Sequence, residues 1–63
     1  MPPLEALTEQ FEKTVAAAVS QGRLTDRDAA AILFHTAVAR PRFTDAEARR
    51  FMRKIEEQIS EPV

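Results

Sequence analysis

Residues 43–60 have the sequence FTDAEARRFMRKIEEQIS, and this segment indicates the fold class most clearly. Thr44 and Glu47 are three positions apart, which is the spacing of a capping box at the start of a helix. Apolar residues then recur every three or four positions, the period of one helix face. They are Ala48, Phe51, Met52, Ile55 and Ile59. The segment therefore predicts an amphipathic helix over about residues 45–60.

The N-terminal part of the chain has the same period and predicts a first helix over about residues 4–20. Its larger apolar residues fall on one face: Leu4, Leu7, Phe11, Val15 and Val19. Pro2 and Pro3 suit the start of this helix, because the first turn leaves its N–H groups unused. Gly22 is the expected stop, since glycine adopts the left-handed conformation without strain.

The middle segment predicts a second helix over about residues 26–39. Thr25 is expected to cap it, with Asp28 in the place of the usual Glu of a capping box. Pro41 disfavours helical geometry at Arg40, so the helix should end there. Together the three segments predict an all-α protein, a compact three-helix bundle.

The chain of 63 residues is short enough to be a single three-helix domain, residues 1–63. Domains of this size bury little surface and usually need disulfides, a metal, very regular packing or oligomerisation. There is no Cys and only one His, which excludes disulfides and thiolate metal sites. We therefore expect no cofactor and no metal, and regular helix packing or self-association as the source of stability.

The charge and hydropathy patterns limit which compartment and which partners we expect for this protein. The net charge of -1 provides no overall attraction to nucleic acid or to an anionic membrane. No apolar run approaches the roughly 20 residues that span a bilayer, and the N-terminus lacks the basic and apolar stretches of a signal peptide. The sequence predicts a cytoplasmic protein with no membrane partner.

The side chains that could carry chemistry have simpler structural explanations. His35 could act as a general base, but a base needs a nucleophile and an orienting group, and the sequence supplies neither in a defined pattern. The carboxylate pairs Asp26/Asp28 and Asp45/Glu47 lie in the first turns of predicted helices, where acids stabilise the helix dipole. We therefore expect no enzymatic activity and no small-molecule substrate.

Basic residues concentrate between positions 40 and 54, where the net charge is +4. They are Arg40, Arg42, Arg49, Arg50, Arg53 and Lys54. A basic helix after a short turn is the order found in helix-turn-helix proteins, so DNA binding is the alternative function. Asp45 and Glu47 count against it, because these acids would face phosphate. The other interpretation is a solvated face with ion pairs Asp45–Arg49 and Glu47–Arg50.

The second helix is apolar on more sides than a bundle helix needs. Its predicted core-facing residues are Ala30, Leu33, Phe34 and Ala37. Ile32 should then point away from the core, among neighbours without permanent charge. An apolar outer side favours a partner that covers it. The predicted partner-binding residues are Ile32, His35, Thr36 and Ala39.

These observations predict a core and a function. The predicted centre of the core is Phe11, Leu33, Phe34, Phe51 and Ile55. The predicted function is that of a small protein that binds another protein, or a second copy of itself, as a regulator, an inhibitor or an accessory subunit.

Overall fold

The computed structural model describes residues 3–60, and that part of the chain is an all-α three-helix bundle without strands. Helix α1 is Leu4–Ser20, α2 is Asp26–Ala39 and α3 is Asp45–Ser60. A single 3₁₀ turn, Arg40–Arg42, joins α2 to α3. The predicted fold class and helix bounds are confirmed. The expectation that Pro41 would disfavour helical geometry at Arg40 is wrong, because Arg40 has φ = -51° and ψ = -47° and the chain passes directly from α2 into the 3₁₀ turn. The role predicted for Pro2 falls outside the described residues.

The end of α1 is a Schellman motif. Gly22 has φ = +77°; its N–H donates to the Val19 carbonyl at 3.0 Å, and the Arg23 N–H donates to the Ala18 carbonyl at 2.9 Å. These bonds satisfy carbonyls that the helix end would otherwise leave unpaired. The predicted stop at Gly22 is therefore confirmed.

A hydrogen bond of the Arg23 side chain shows the relative direction of two helices. Its Nη1 donates to the Ile59 carbonyl in the last turn of α3, at 2.6 Å. The C-terminal ends of α1 and α3 therefore lie together, so these helices run in the same direction and α2 runs back between their ends. A cation at this position also complements the negative end of the α3 dipole.

The predicted caps at α2 and α3 are both present. The Thr25 hydroxyl oxygen accepts from the Asp28 N–H at 3.0 Å. At α3 the capping box is reciprocal: the Thr44 N–H donates to the Glu47 carboxylate at 2.8 Å, and the Glu47 N–H donates to the Thr44 hydroxyl oxygen at 3.2 Å. The start of each helix is thus determined by residues three positions apart in the sequence.

The capping box predicts a specific dependence of stability on pH. The backbone N–H of Thr44 lowers the pKa of the Glu47 carboxyl below its ordinary value, with help from a side-chain hydrogen bond to Thr44 and from the charge of Arg50. A lowered pKa in the folded state gives stability that is complete above the unfolded pKa and is lost as the pH falls through the folded pKa. The difference in unfolding free energy between the parent and Glu47→Gln should therefore shrink across that acidic window. Urea denaturation at a series of pH values measures it, and a difference independent of pH would mean that the charged cap is absent.

The core lies mainly between α1 and α3, with α2 packed on α1. The buried residues are Phe11, Val15, Ala18, Ala29, Ala48, Met52 and Ile59. Phe11 is buried, as predicted, and Leu33, Phe51 and Ile55 are partly buried and pack against this cluster. The prediction for Phe34 is wrong, because that side chain is 65% exposed.

The orientation of α2 also differs from the prediction. Ala29 is buried, and both Ile32 and Leu33 pack against the core. Ile32 therefore does not point outward. The inward face is displaced from the predicted one by one residue, which is a rotation of about 100°. Apolar residues occur on all sides of α2 after its first turn, so their spacing does not define which side is buried.

Candidate interaction site

The observed orientation of α2 leaves an apolar strip exposed to solvent. Phe34 is 65% exposed and Val38 is 51% exposed, and they are the exposed large hydrophobic residues of the described part of the chain. They are four residues apart and therefore lie one above the other on the helix. Exposed alanines flank them on both sides. We call this surface the α2 outer face: Ala30, Ala31, Phe34, Ala37 and Val38.

The four residues predicted to bind a partner are divided between the core and the surface. Ile32 packs against the core, and Ala39 is half-buried. Thr36 is half-buried, and its hydroxyl donates to the Ile32 carbonyl at 2.8 Å. His35 is exposed beside the α2 outer face, with its ring edge-on to Phe34 and 5.8 Å between ring centroids. Of these four, only His35 lies on the surface of α2.

The sequence contains a signal for the α2 outer face, but that signal does not by itself show which side of the helix is exposed. Phe34 and Val38 form a pair of large residues four positions apart, and Ala30 continues the row by one turn. The competing row of Ala29, Ile32 and Leu33 has the same helical period. Choosing between them requires knowing which row meets α1.

A second apolar feature, which the sequence did not predict, is a groove lined by residues of all three helices and of the connection between α2 and α3. It has a volume of about 200 Å³. Phe43 and Phe51 lie together in its wall, with their ring planes tilted by 47° and 5.3 Å between ring centroids. Its other lining residues are Thr8, Phe11, Glu12, Leu33, Thr36, Ala37, Arg40, Ala48 and Met52.

This groove offers few polar groups for ligand binding or catalysis. The Thr8 hydroxyl donates to the Leu4 carbonyl at 3.0 Å, and Thr36 also bonds within its own helix. The volume is below the roughly 300–1,000 Å³ of typical small-molecule sites. Within residues 3–60, no three His, Asp or Glu side chains lie close enough together to hold a metal ion.

The basic residues do not form the ion pairs predicted for the start of α3. The one ion pair in the described structure joins Arg40 to Asp45 at 3.1 Å. The pairs Asp45–Arg49 and Glu47–Arg50 are not formed, because Asp45 pairs with Arg40 and the Glu47 carboxylate caps its own helix.

The remaining basic side chains of residues 40–54 differ in their exposure to solvent. Arg49 is half-buried, and four others are exposed: Arg42, Arg50, Arg53 and Lys54. The exposed side of α3 also carries Glu47 and Glu57, so it has both signs of charge.

Comparisons with known proteins add no relative to this description. No family model, curated protein or solved structure matches the chain. No helix in the described part is long and apolar enough to cross a membrane.

Proposed function

We propose that this protein is a small, non-enzymatic interaction module that binds a protein partner through the α2 outer face. The supporting observation is the exposure of Phe34 and Val38 on one face of a helix whose other face is packed in the core. Such a module acts by occupying or completing the surface of its partner. Regulators, inhibitors and accessory subunits all work in this way.

The energetics support a binding role for this face. Full burial of an exposed Phe or Val side chain contributes roughly 1.5–3 kcal/mol, and covering the exposed 65% of Phe34 and 51% of Val38 would contribute a corresponding share of it. Two apolar anchors four positions apart are the pattern with which a helix enters a partner's groove or packs on a partner's helix. The alanines beside them allow a second backbone to approach closely.

The alternative of DNA binding has weaker support. Asp45 lies in the first turn of α3, where a recognition helix contacts the bases, and its charge would repel phosphate. Arg40 is already paired with this carboxylate. The two functions differ in the response to salt, because phosphate contacts weaken steeply as salt rises and apolar contacts do not.

A capture experiment with matched variants tests the proposal. The baits are the parent chain, Phe34→Glu and Ala17→Glu, incubated with lysate of the native host with and without nuclease. Ala17 is exposed on α1, so its substitution adds the same charge to a helix surface away from α2. We expect the parent and Ala17→Glu to capture the same protein, and Phe34→Glu to lose it, with or without nuclease. Quantitative mass spectrometry measures the captured protein.

Two results would contradict the proposal. One is equal capture by all three baits, which would show that binding does not use the α2 outer face. The other is capture that disappears with nuclease and with moderate salt, which would favour the basic region. Circular dichroism of each bait ensures that loss of binding does not reflect unfolding.

A further inference from the structure

We infer, building on the proposed function, that the apolar groove receives an anchor of the same protein partner: one large apolar side chain next to a lysine or arginine of the partner's contact segment. The groove adjoins the α2 outer face, because Ala37 belongs to both surfaces. A partner seated on Phe34 therefore lies one helical turn from the groove. Three features of the groove support the assignment: its size, the pairing of its polar groups, and the charges along its edges.

The groove has the size and lining of a pocket for one side chain. The large apolar residues of its lining are Phe11 and Met52, which are buried, and Leu33, Phe43 and Phe51, which are half-buried. An apolar cavity of roughly 150 Å³ admits a benzene ring, and the volume of this groove is about 200 Å³. A phenyl ring or a branched aliphatic side chain therefore fits.

The hydroxyl groups that line the groove are already paired. Those of Thr8 and Thr36 each donate to the carbonyl of the residue four positions earlier in the same helix. Neither hydroxyl therefore has a proton left to donate to a ligand. A polar group that entered the groove would lose its hydrogen bonds to water without replacing them. The part of the ligand that enters is therefore apolar.

The two charged side chains of the lining differ in their availability. Arg40 pairs with the Asp45 carboxylate at 3.1 Å and also donates to the Phe43 carbonyl at 3.4 Å. Glu12 is exposed and forms no ion pair within residues 3–60. Of these two groups, the Glu12 carboxylate is the one open to a ligand. It favours a cation beside the apolar anchor.

The charges along the edges of the groove have the same net sign. On α1, Glu5 lies two turns before Glu12 on the same side of the helix. The α2 edge has no carboxylate, Lys or Arg between positions 28 and 40. On α3, Glu47 and Lys54 lie one turn before and one turn after the aromatic wall, and their opposite charges cancel. The α1 edge therefore decides the sign, and it is negative.

Capped dipeptides that separate the apolar anchor from the cation test this inference. The probes are Phe-Lys, Phe-Glu and Ser-Lys, each with an acetylated N-terminus and an amidated C-terminus. They are titrated at low salt into isotope-labelled protein, and the amide chemical shifts are followed by NMR. We expect Phe-Lys to shift the amides of groove residues such as Thr8 and Ala48 saturably at millimolar concentrations. Phe-Glu should bind about two- to fivefold more weakly, and Ser-Lys should give no saturable shift.

Matched variants locate the binding. Glu12→Gln should bind Phe-Lys and Phe-Glu equally, whereas Glu57→Gln, which removes the same charge from an exposed position of α3, should keep the parent's preference. Ala37→Leu should weaken both Phe probes by filling the groove. Ala30→Leu is the control for it, because this position of α2 is also exposed but does not line the groove.

Two outcomes of the titration would overturn the inference. One is the absence of a saturable shift at the groove with Phe-Lys, and the other is equal affinity of the parent for Phe-Lys and Phe-Glu.

The capture experiment separates this inference from the proposed function when Glu12→Lys and its control Glu57→Lys are added as baits. We expect Glu12→Lys to capture less protein than the parent, and Glu57→Lys to capture the same amount. If Glu12→Lys captures as much as the parent while Phe34→Glu captures none, the partner binds the α2 outer face without the groove, and the inference fails alone. Equal capture by Phe34→Glu and the parent would contradict the proposed function, and the titration would still decide what the groove binds.

Discussion

Replacing Phe11 with alanine is expected to lower the free energy of unfolding by about 3–5 kcal/mol, because the change deletes a large side chain and leaves a cavity. Phe11 is 1% exposed in the middle of α1 and belongs to the cluster that joins the helices. Stability of roughly 0.05–0.15 kcal/mol per residue is typical of small domains, so this loss should unfold much of the isolated chain at room temperature. Thermal and urea denaturation followed by circular dichroism measure it.

Phe34→Ala is the matched control, since it removes the same side chain from the surface. Its effect should stay within about 0.5 kcal/mol. Both variants should be measured in dilute solution, because a dimer adds stability that rises with protein concentration. If the two substitutions cost the same, Phe34 belongs to the core and α2 has the orientation predicted from its sequence.

Ile32→Glu is expected to destabilise the folded monomer. Ile32 is partly buried and packs against the core, so the substitution forfeits a large part of the roughly 1.5–3 kcal/mol that full burial of such a side chain contributes. It also brings a carboxylate toward an apolar region that offers no partner for its charge. Urea denaturation should show a lower midpoint with little change in the m-value, because the surface area exposed on unfolding stays nearly the same.

Ala31→Glu is the control for this change. Ala31 is the preceding residue on the same helix and is exposed, so the same charge is added without loss of core packing. Its effect on the monomer should be small. A stable Ile32→Glu chain beside an unfolded Phe34→Glu chain would contradict the orientation of α2 described above.

Local sequence accounts for the helices themselves. The bounds 4–20, 26–39 and 45–60 follow from caps and stops that act within a few residues: Thr25, Gly22 and the pair Thr44 and Glu47. The faces of α1 and α3 follow as well, because apolar and charged residues are segregated around each of them. For these two helices, the hydrophobic effect has only one face to bury.

The side of α2 that is buried could not be obtained in this way. Ala29, Ile32 and Leu33 form one apolar row, Ala30, Phe34 and Val38 form another, and burial of either satisfies the helical period. The contact with α1 selects the first row, which leaves the second in solvent. The apolar groove has the same origin, since its walls come from all three helices and it exists only once they are packed together. Short-range hydrogen bonds and segregated charge thus specify the helices, whereas packing between distant segments decides which surface remains for a partner.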